Sequence, residues 1–207
     1  MSNKYLIFDF DGVIGDTWET VILAHIKKGN RSNRQEAIAE MNSYFSKKPH
    51  HTKTHSLSET ELANEYKWTS EFGSIMHEIG VTLFDDFVKE IELLPTKYKA
   101  VVSSGSQNYV SPALAKTNIN PTHILAFEDH HSKEEKIQLV AKDWDAELSE
   151  IYYFTDTLAD IYELRDIIST NRLIGVSWGF CSKEQLLTEL AEENILNSPS
   201  ELAVKLK

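Results

Sequence analysis

The sequence predicts a doubly wound α/β fold with a helical insertion after the first strand. Three observations carry that expectation. Short apolar runs rich in β-branched and aromatic residues alternate with stretches of helical spacing through the second half of the 207-residue chain. Alternation of this kind marks βαβ units around a parallel sheet. A similar run, KYLIF, stands at the start, and the roughly 70 residues that follow show no convincing strand, which is long for a crossover.

Taken in order, KYLIF (Lys4–Phe8) is the first strand. Trp18, Val21, Ile22 and Ile26 then form one helical stripe, closed by Gly29 and Asn30. Asn33 with Glu36 reads as a capping box opening a second helix that carries Ile38, Met41 and Phe45. SKKPHHTKTHSL is a polar loop. Ser58 with Glu61 opens a third helix with Leu62, Tyr66, Ile75 and Ile79, and Thr82 begins a fourth through Phe87, Val88 and Ile91. The later strands are YKAVVS (98–103), THILAF (122–127), EIYYFT (150–155) and RLIGVSW (172–178). Ile137, Val140 and Ala141 mark one intervening helix, and Leu158, Ile161 and Tyr162 another. The expected division is a core of 1–15 and 95–207 with a helical domain at 16–94.

A net charge of −11 argues against nucleic acid or an anionic membrane surface as the main partner. A single cysteine, Cys181, excludes an intramolecular disulfide and fits a reducing compartment. No apolar run approaches membrane-spanning length, and the first strand begins too early to leave room for a secretory signal. A cytoplasmic location is therefore expected, and nothing specifies an oligomeric state.

The stretch IFDFDGVIGDT (Ile7–Thr17) raises a chemical question, because acids are poor strand residues. Residues i and i+2 of a strand face one side, so Asp9 and Asp11 leave the first strand together. Ligands of open α/β sheets bind at the carboxyl ends of the strands, and Gly12 permits a sharp turn there. Paired carboxylates suit Mg²⁺, and one of them can attack phosphorus while its neighbour handles protons. Three more features fall at successive strand ends. VVSSGS places Ser103, Ser104 and Gly105 before a helix, whose N-terminus and free N–H groups can take an anion. Lys133 opens a helix where its charge opposes the helix dipole, and Lys136 lies one turn on. YYFTDTLAD ends a strand in Asp156, with Asp160 four residues later. Each alone is a common turn or cap; the order acid pair, hydroxyl, lysine, acid pair is far more specific.

These residues resemble the four motifs of the haloacid dehalogenase (HAD) superfamily of phosphohydrolases. DFDGVIGDT is similar to the first, SSGS to the second, SKEEKI to the third and TDTLAD to the fourth, and GVSWGFCSKEQLLTEL with NSPSEL is similar to the ending of phosphoglycolate-phosphatase-like members. The resemblance implies a Rossmann-like core with an inserted all-α cap. It implies a Mg²⁺-dependent phosphomonoesterase acting on a small phosphorylated metabolite, with Asp9 as nucleophile, Asp11 as general acid and base, and Lys133 neutralising charge. Ser103, Ser104 and Gly105 would bind phosphate. Asp9, Asp11 (through its main-chain carbonyl), Asp156 and Asp160 would form the metal site. Two departures stand out: Thr155 replaces a usual glycine, a bulk expected to crowd the turn, and Gly15 leaves the hinge position without a side chain. A phosphomutase of the same fold and a non-catalytic phosphate-binding or partner-binding module are the alternatives.

One further pattern concerns charge. From His25 to Ser58 there are seven basic residues (Lys27, Lys28, Arg31, Arg34, Lys47, Lys48 and Lys53) against two acids, Glu36 and Glu40. Such a segment could hold a second anionic group of the substrate, with His50, His51 and His55 as added donors.

Overall fold

The computed structural model describes residues 4–46 and 57–207. Its main sheet has six strands: β1 (Tyr5–Phe8), β4 (Lys99–Val102), β5 (His123–Leu125), β6 (Ile151–Thr155), β7 (Leu173–Val176) and β8 (Ile195–Leu196). All pair in parallel in the order β5-β4-β1-β6-β7-β8. The first strand therefore lies in the middle, with Ile7 opposite Ala100 on one side and Tyr153 on the other. That position explains why it is an unbroken apolar run rather than an alternating one. Leu6 and Phe8 pack on one face of the sheet with Val101, Phe154 and Ile174. Ile7 faces the other way, with Val102, Tyr153 and the apolar stripe of α6 (Lys133–Trp144). The chain builds outward from β1 through β4 and β5, then crosses back to β6. The crevice at this reversal is where β1, β4 and β6 end.

The six strands include one, β8, that no apolar run in the sequence predicts. Two residues carry no periodicity, and only their pairing with Gly175 and Val176 makes them a strand.

The insertion begins and ends in a two-stranded antiparallel ribbon of β2 (Gly15–Asp16) and β3 (Thr82–Leu83). The Thr82 hydroxyl donates to the Asp16 carbonyl at 2.9 Å, and Phe84 N–H to the Ile14 carbonyl at 2.9 Å. The expected helix start at Thr82 is thus wrong, since that residue pairs across the ribbon and α4 runs from Asp85 to Leu93. Between the strands lie α1 (Trp18–Lys27), α2 (Arg34–Phe45) and α3 (Glu59–Ile79). Asn33 caps α2 by accepting from Glu36 N–H at 3.1 Å, and Ser58 and Glu61 cap α3 reciprocally. Helix α1 packs on both of the others, whereas α4 packs on the C-terminal helix α9 (Leu202–Lys205) and the turn before it. Phe87 of α4 meets Phe8 edge-on at 6.0 Å and Trp178 at 5.0 Å. Helix α4, which precedes Leu94, thus packs on elements of the core. At Gly15, which pairs with Leu83 in the ribbon, a Cβ would lie 2.9 Å from the Phe10 ring.

The insertion rests on the core through α3 and α5 (Gln107–Leu114). At Gly73 a Cβ would sit 2.4 Å from Ser106 Cβ, so the two helices can approach this closely only with glycine there. Phe45 at the end of α2 meets Phe180 edge-on at 4.9 Å. Among the described residues no helix is long and apolar enough to cross a membrane. The six histidine and lysine positions of the polar loop, Lys47, Lys48, His50, His51, Lys53 and His55, lie outside the described residues.

Candidate active site

Past β1 the alternation persists: Phe10 is fully buried in the core, and Asp9 and Asp11 face the crevice. Asp9 extends the ladder, its N–H donating to the Phe154 carbonyl at 2.9 Å. Its carboxylate is committed at both oxygens. Oδ1 accepts from Phe10 N–H and Oδ2 from Lys133 Nζ, both at 2.7 Å. Burial pushes the Asp9 carboxyl well above the usual range, opposed by the lysine.

The lysine that reaches Asp9 is Lys133, and Lys136 has a different partner. Lys133 opens α6 behind the N-cap Ser132, and its ammonium bridges Asp9 Oδ2 and Asp160 Oδ2 at 2.7 Å each. Burial alone would lower its pKa, but the two carboxylates raise it above the ordinary lysine value. The Glu163 carboxylate accepts from Lys133 N–H at 2.7 Å, offsetting the unfavourable charge at this helix start. Lys136 is also fully buried, and its Nζ donates to the Ser103 carbonyl at 2.5 Å. Burial, aided by Lys133, pushes Lys136 down to about 7. It ties the end of β4 to α6.

Asp160, the second acid of the last motif, accepts at a single oxygen from Lys133, from the Thr155 hydroxyl at 2.7 Å and from the Tyr153 hydroxyl at 3.1 Å. Thr155 therefore does not crowd the turn; it orients Asp160. Asp156, fully buried at the end of β6, is different. Phe180 N–H donates to its Oδ2 at 2.6 Å, while Oδ1 is buried without a hydrogen-bond partner. Burial pushes this carboxyl up to about 7. The surrounding backbone comes so near that a Cβ on Gly12 (φ +72°) would lie 1.9 Å from Asp156 Oδ2, and one on Gly179 2.3 Å from Asp156 Cβ.

The metal set expected from sequence consists of three carboxylates, Asp9, Asp156 and Asp160, with the Asp11 main-chain carbonyl. Among the described residues no three His, Cys, Asp or Glu side chains are arranged to hold a metal by themselves. One oxygen of Asp160 is engaged by three donors, and Asp11 Oδ2 accepts from the Tyr109 hydroxyl at 2.6 Å. Asp9 and Asp156 offer an all-oxygen pair, and both Asp156 Oδ1 and Asp11 Oδ1 are buried without a hydrogen-bond partner. That donor set fits Mg²⁺, which commonly takes only one or two carboxylates and completes its shell with phosphate oxygens and water.

Ser103 is fully buried, and its Oγ accepts from Gly105 N–H at 2.9 Å. The helix N-terminus beyond it is not the open anion site expected from sequence. Glu128 takes Gln107 N–H at 2.9 Å and the Ser106 hydroxyl at 2.5 Å, so a carboxylate already occupies that position. Gly105 is required by what lies above it: a Cβ would sit 1.8 Å from Tyr109 Oη and 2.9 Å from Asp11 Oδ2. Tyr109 was not singled out in the sequence; its one signal was that glycine, four residues earlier. Burial raises the Asp11 carboxyl, and the Tyr109 hydroxyl pulls it back.

Asp9, Asp11, Lys133 and Asp160 line one cavity of about 670 Å³, with Ser104 and Gly105 at its edge. Its other walls come from α1, α2 and α3 and from core residues that include Tyr109, Phe127 and Phe180. Chemically, the arrangement presents a buried carboxylate held by a lysine, with a second carboxylate two residues away that is raised by burial and held by a phenol.

A family model of haloacid dehalogenase-like hydrolases matches residues 6–164. No curated protein matches the chain. Among solved structures, a predicted phosphoglycolate phosphatase from Haemophilus somnus 129PT is 15% identical with a TM-score of 0.70, over 99% of this chain and 98% of that one. A predicted phosphatase from Clostridium acetobutylicum is 17% identical with a TM-score of 0.70, over 100% and 99%. CbbY from Rhodobacter sphaeroides, a mutant in complex with xylulose-(1,5)bisphosphate, is 16% identical with a TM-score of 0.65, over 97% and 96%.

Proposed function

Because the chain belongs to the haloacid dehalogenase-like hydrolases, we propose that it is a Mg²⁺-dependent phosphomonoesterase that cleaves a small phosphorylated metabolite through an aspartyl-phosphate. The observation that carries this reading is the Lys133 bridge to Asp9 at 2.7 Å, in a cavity that Asp11 also lines. The lysine offsets the charge on Asp9 and would offset that of an incoming phosphoryl group. An Asp9 oxygen attacks phosphorus, forming an Asp9 O–P bond as the ester P–O bond breaks. Asp11 gives its proton to the departing alkoxide. In the second step Asp11 takes a proton from water, the water oxygen bonds to phosphorus, and the acyl-phosphate bond breaks to return Asp9. Asp160, Thr155 and Tyr153 hold Lys133 in place throughout. The helices of the insertion act as a cap that excludes bulk water. Asp9, Asp156 and the Asp11 main-chain carbonyl would hold Mg²⁺, which supplies positive charge against the phosphoryl oxygens.

Phosphate release from a panel of phosphorylated metabolites, measured with Mg²⁺ and with chelator, tests this. Release that requires Mg²⁺ and vanishes with chelator is expected. Full activity in chelator removes the metal assignment, and no release from any ester removes the phosphatase reading.

Tyr109→Phe deletes the donor to Asp11 and little else. A hydrogen bond to a charged group contributes about 1.5–3 kcal/mol, so kcat should fall by roughly 10-fold to 100-fold. Asp11 should also titrate higher, since the phenol holds its carboxyl down. The kcat/KM profile reports the step in which Asp11 must be protonated, so its alkaline limb should move to higher pH. An unmoved profile would mean that Tyr109 only packs.

A further inference from the structure

Resting on the phosphatase reading above, we infer that the ester cleaved here carries a flat, uncharged aromatic leaving group rather than a short carboxylate-bearing one. Glu65, Trp68, Thr69 and Phe72 are spaced to share one face of α3, and all four line the cavity. Trp68 and Phe72 stack with centroids 5.0 Å apart and planes 10° apart, and the His25 ring lies 4.8 Å from Phe72. Lys28 Nζ lies 5.7 Å over the Trp68 ring and is itself held by Glu71 at 2.6 Å. Trp68 nevertheless stays 41% exposed. Across the cavity stand Tyr44 and Phe45 of α2 and Phe180 of the core.

The charge of this chamber points the same way. Among the described residues, Arg31 is the one Lys or Arg lining it apart from Lys133, and Arg31 Nη2 is paired with Glu40 at 2.8 Å. Glu65 adds a second acid. Of the basic residues counted in the sequence, three more that are described are paired elsewhere: Lys27 with Glu78 at 2.7 Å, Lys28 with Glu71 at 2.6 Å and Arg34 with Glu19 at 2.5 Å. Burial holds His25 below its usual pKa, so it adds no cation at neutral pH. Among the described lining residues, a leaving group bearing a carboxylate would meet more negative than positive charge. One with a ring would meet ordered ring edges and faces, in a cavity whose 670 Å³ lies within the roughly 300–1,000 Å³ of sites that enclose whole organic ligands.

The test compares primary alkyl phosphates, so that leaving-group chemistry is held nearly constant. Phosphate release by the full chain with Mg²⁺ is measured for 2-phenylethyl phosphate, adenosine 5′-monophosphate, propyl phosphate and 2-phosphoglycolate. At least one ring-bearing ester should exceed both short ones in kcat/KM by about tenfold or more, and which of the two leads separates a simple aryl group from a nucleoside. Trp68→Ala should raise KM for the ring ester about fivefold or more while the short esters stay within about twofold. Phe72→Leu, a milder change, serves if the first variant loses its thermal transition. Phosphoglycolate or propyl phosphate matching the ring esters overturns the inference while leaving the phosphatase intact. So does an equal effect of Trp68→Ala on all four. Release from none, together with no release across the broader panel, removes both readings.

Discussion

Asp9→Asn is expected to abolish phosphate release while leaving the fold in place. The amide keeps the size of the side chain and an oxygen that can accept from Phe10 N–H, as Oδ1 does at 2.7 Å. It cannot form an acyl-phosphate, so kcat should fall by on the order of 10⁴-fold or more, as for other lost nucleophiles. Stability should not fall with it. Asp9 and Asp160 share one buried ammonium, and burial already disfavours the ionised form of Asp9. Lys133 retains Asp160 when the Asp9 charge is removed, so no unpaired cation is left behind. The paired measurements are phosphate release and thermal denaturation. Turnover within tenfold of the parent would remove Asp9 as nucleophile. Lost activity with a collapsed transition would show a merely structural residue.

The parts of this site that could be read from sequence are those set by local periodicity. Asp9 and Asp11 face one way because a strand alternates, and Lys133 stands out because a cation opens a helix. The central strands are legible because burial on both faces demands unbroken apolar runs. What depends on distant partners is not legible. Tyr109 sits in an apolar helical pattern, and nothing in that pattern says that its hydroxyl meets a carboxylate 98 positions away. The amphipathic stripe of α4 shows that it buries a face, not that the face covers Phe8 and α9 instead of the helical insertion. Within the basic segment from His25 to Ser58, the described cations Lys27, Lys28, Arg31 and Arg34 are all paired, and composition counts charges without pairing them. Lys28 and Glu71 are 43 residues apart in the chain. Thr155, read as a bulk departure, turns out to act through its hydroxyl, because Asp160 one helical turn ahead needs a donor.

Asp156→Asn should move activity and stability in opposite directions. In the protein without metal, this carboxyl is raised by burial from an ordinary 3.8 to about 7, with Oδ1 lacking any partner. A folded-state pKa above the unfolded one means that the native protein holds the extra proton. Stability from this group is thus fully present below about pH 4 and is lost as pH rises toward 7. A displacement of that size costs roughly 4 kcal/mol once the group is ionised in both states. Asparagine carries no such cost, so the metal-free variant should melt several degrees higher than the parent at pH 8, at about 2–4 °C per kcal/mol for a chain of this size. The difference between the two melting temperatures should shrink toward pH 4. Added Mg²⁺ should stabilise the parent and not the variant, because ligand binding to the native state stabilises only where the site is intact. Activity should run the other way, falling about 10²-fold or more at Mg²⁺ concentrations that saturate the parent, in line with the loss of a major electrostatic contribution to the transition state. Equal Mg²⁺ stabilisation of both proteins would show that Asp156 does not bind the cation. A variant less stable than the parent at pH 8 without metal would show instead that the buried carboxylate is satisfied by Phe180 N–H alone.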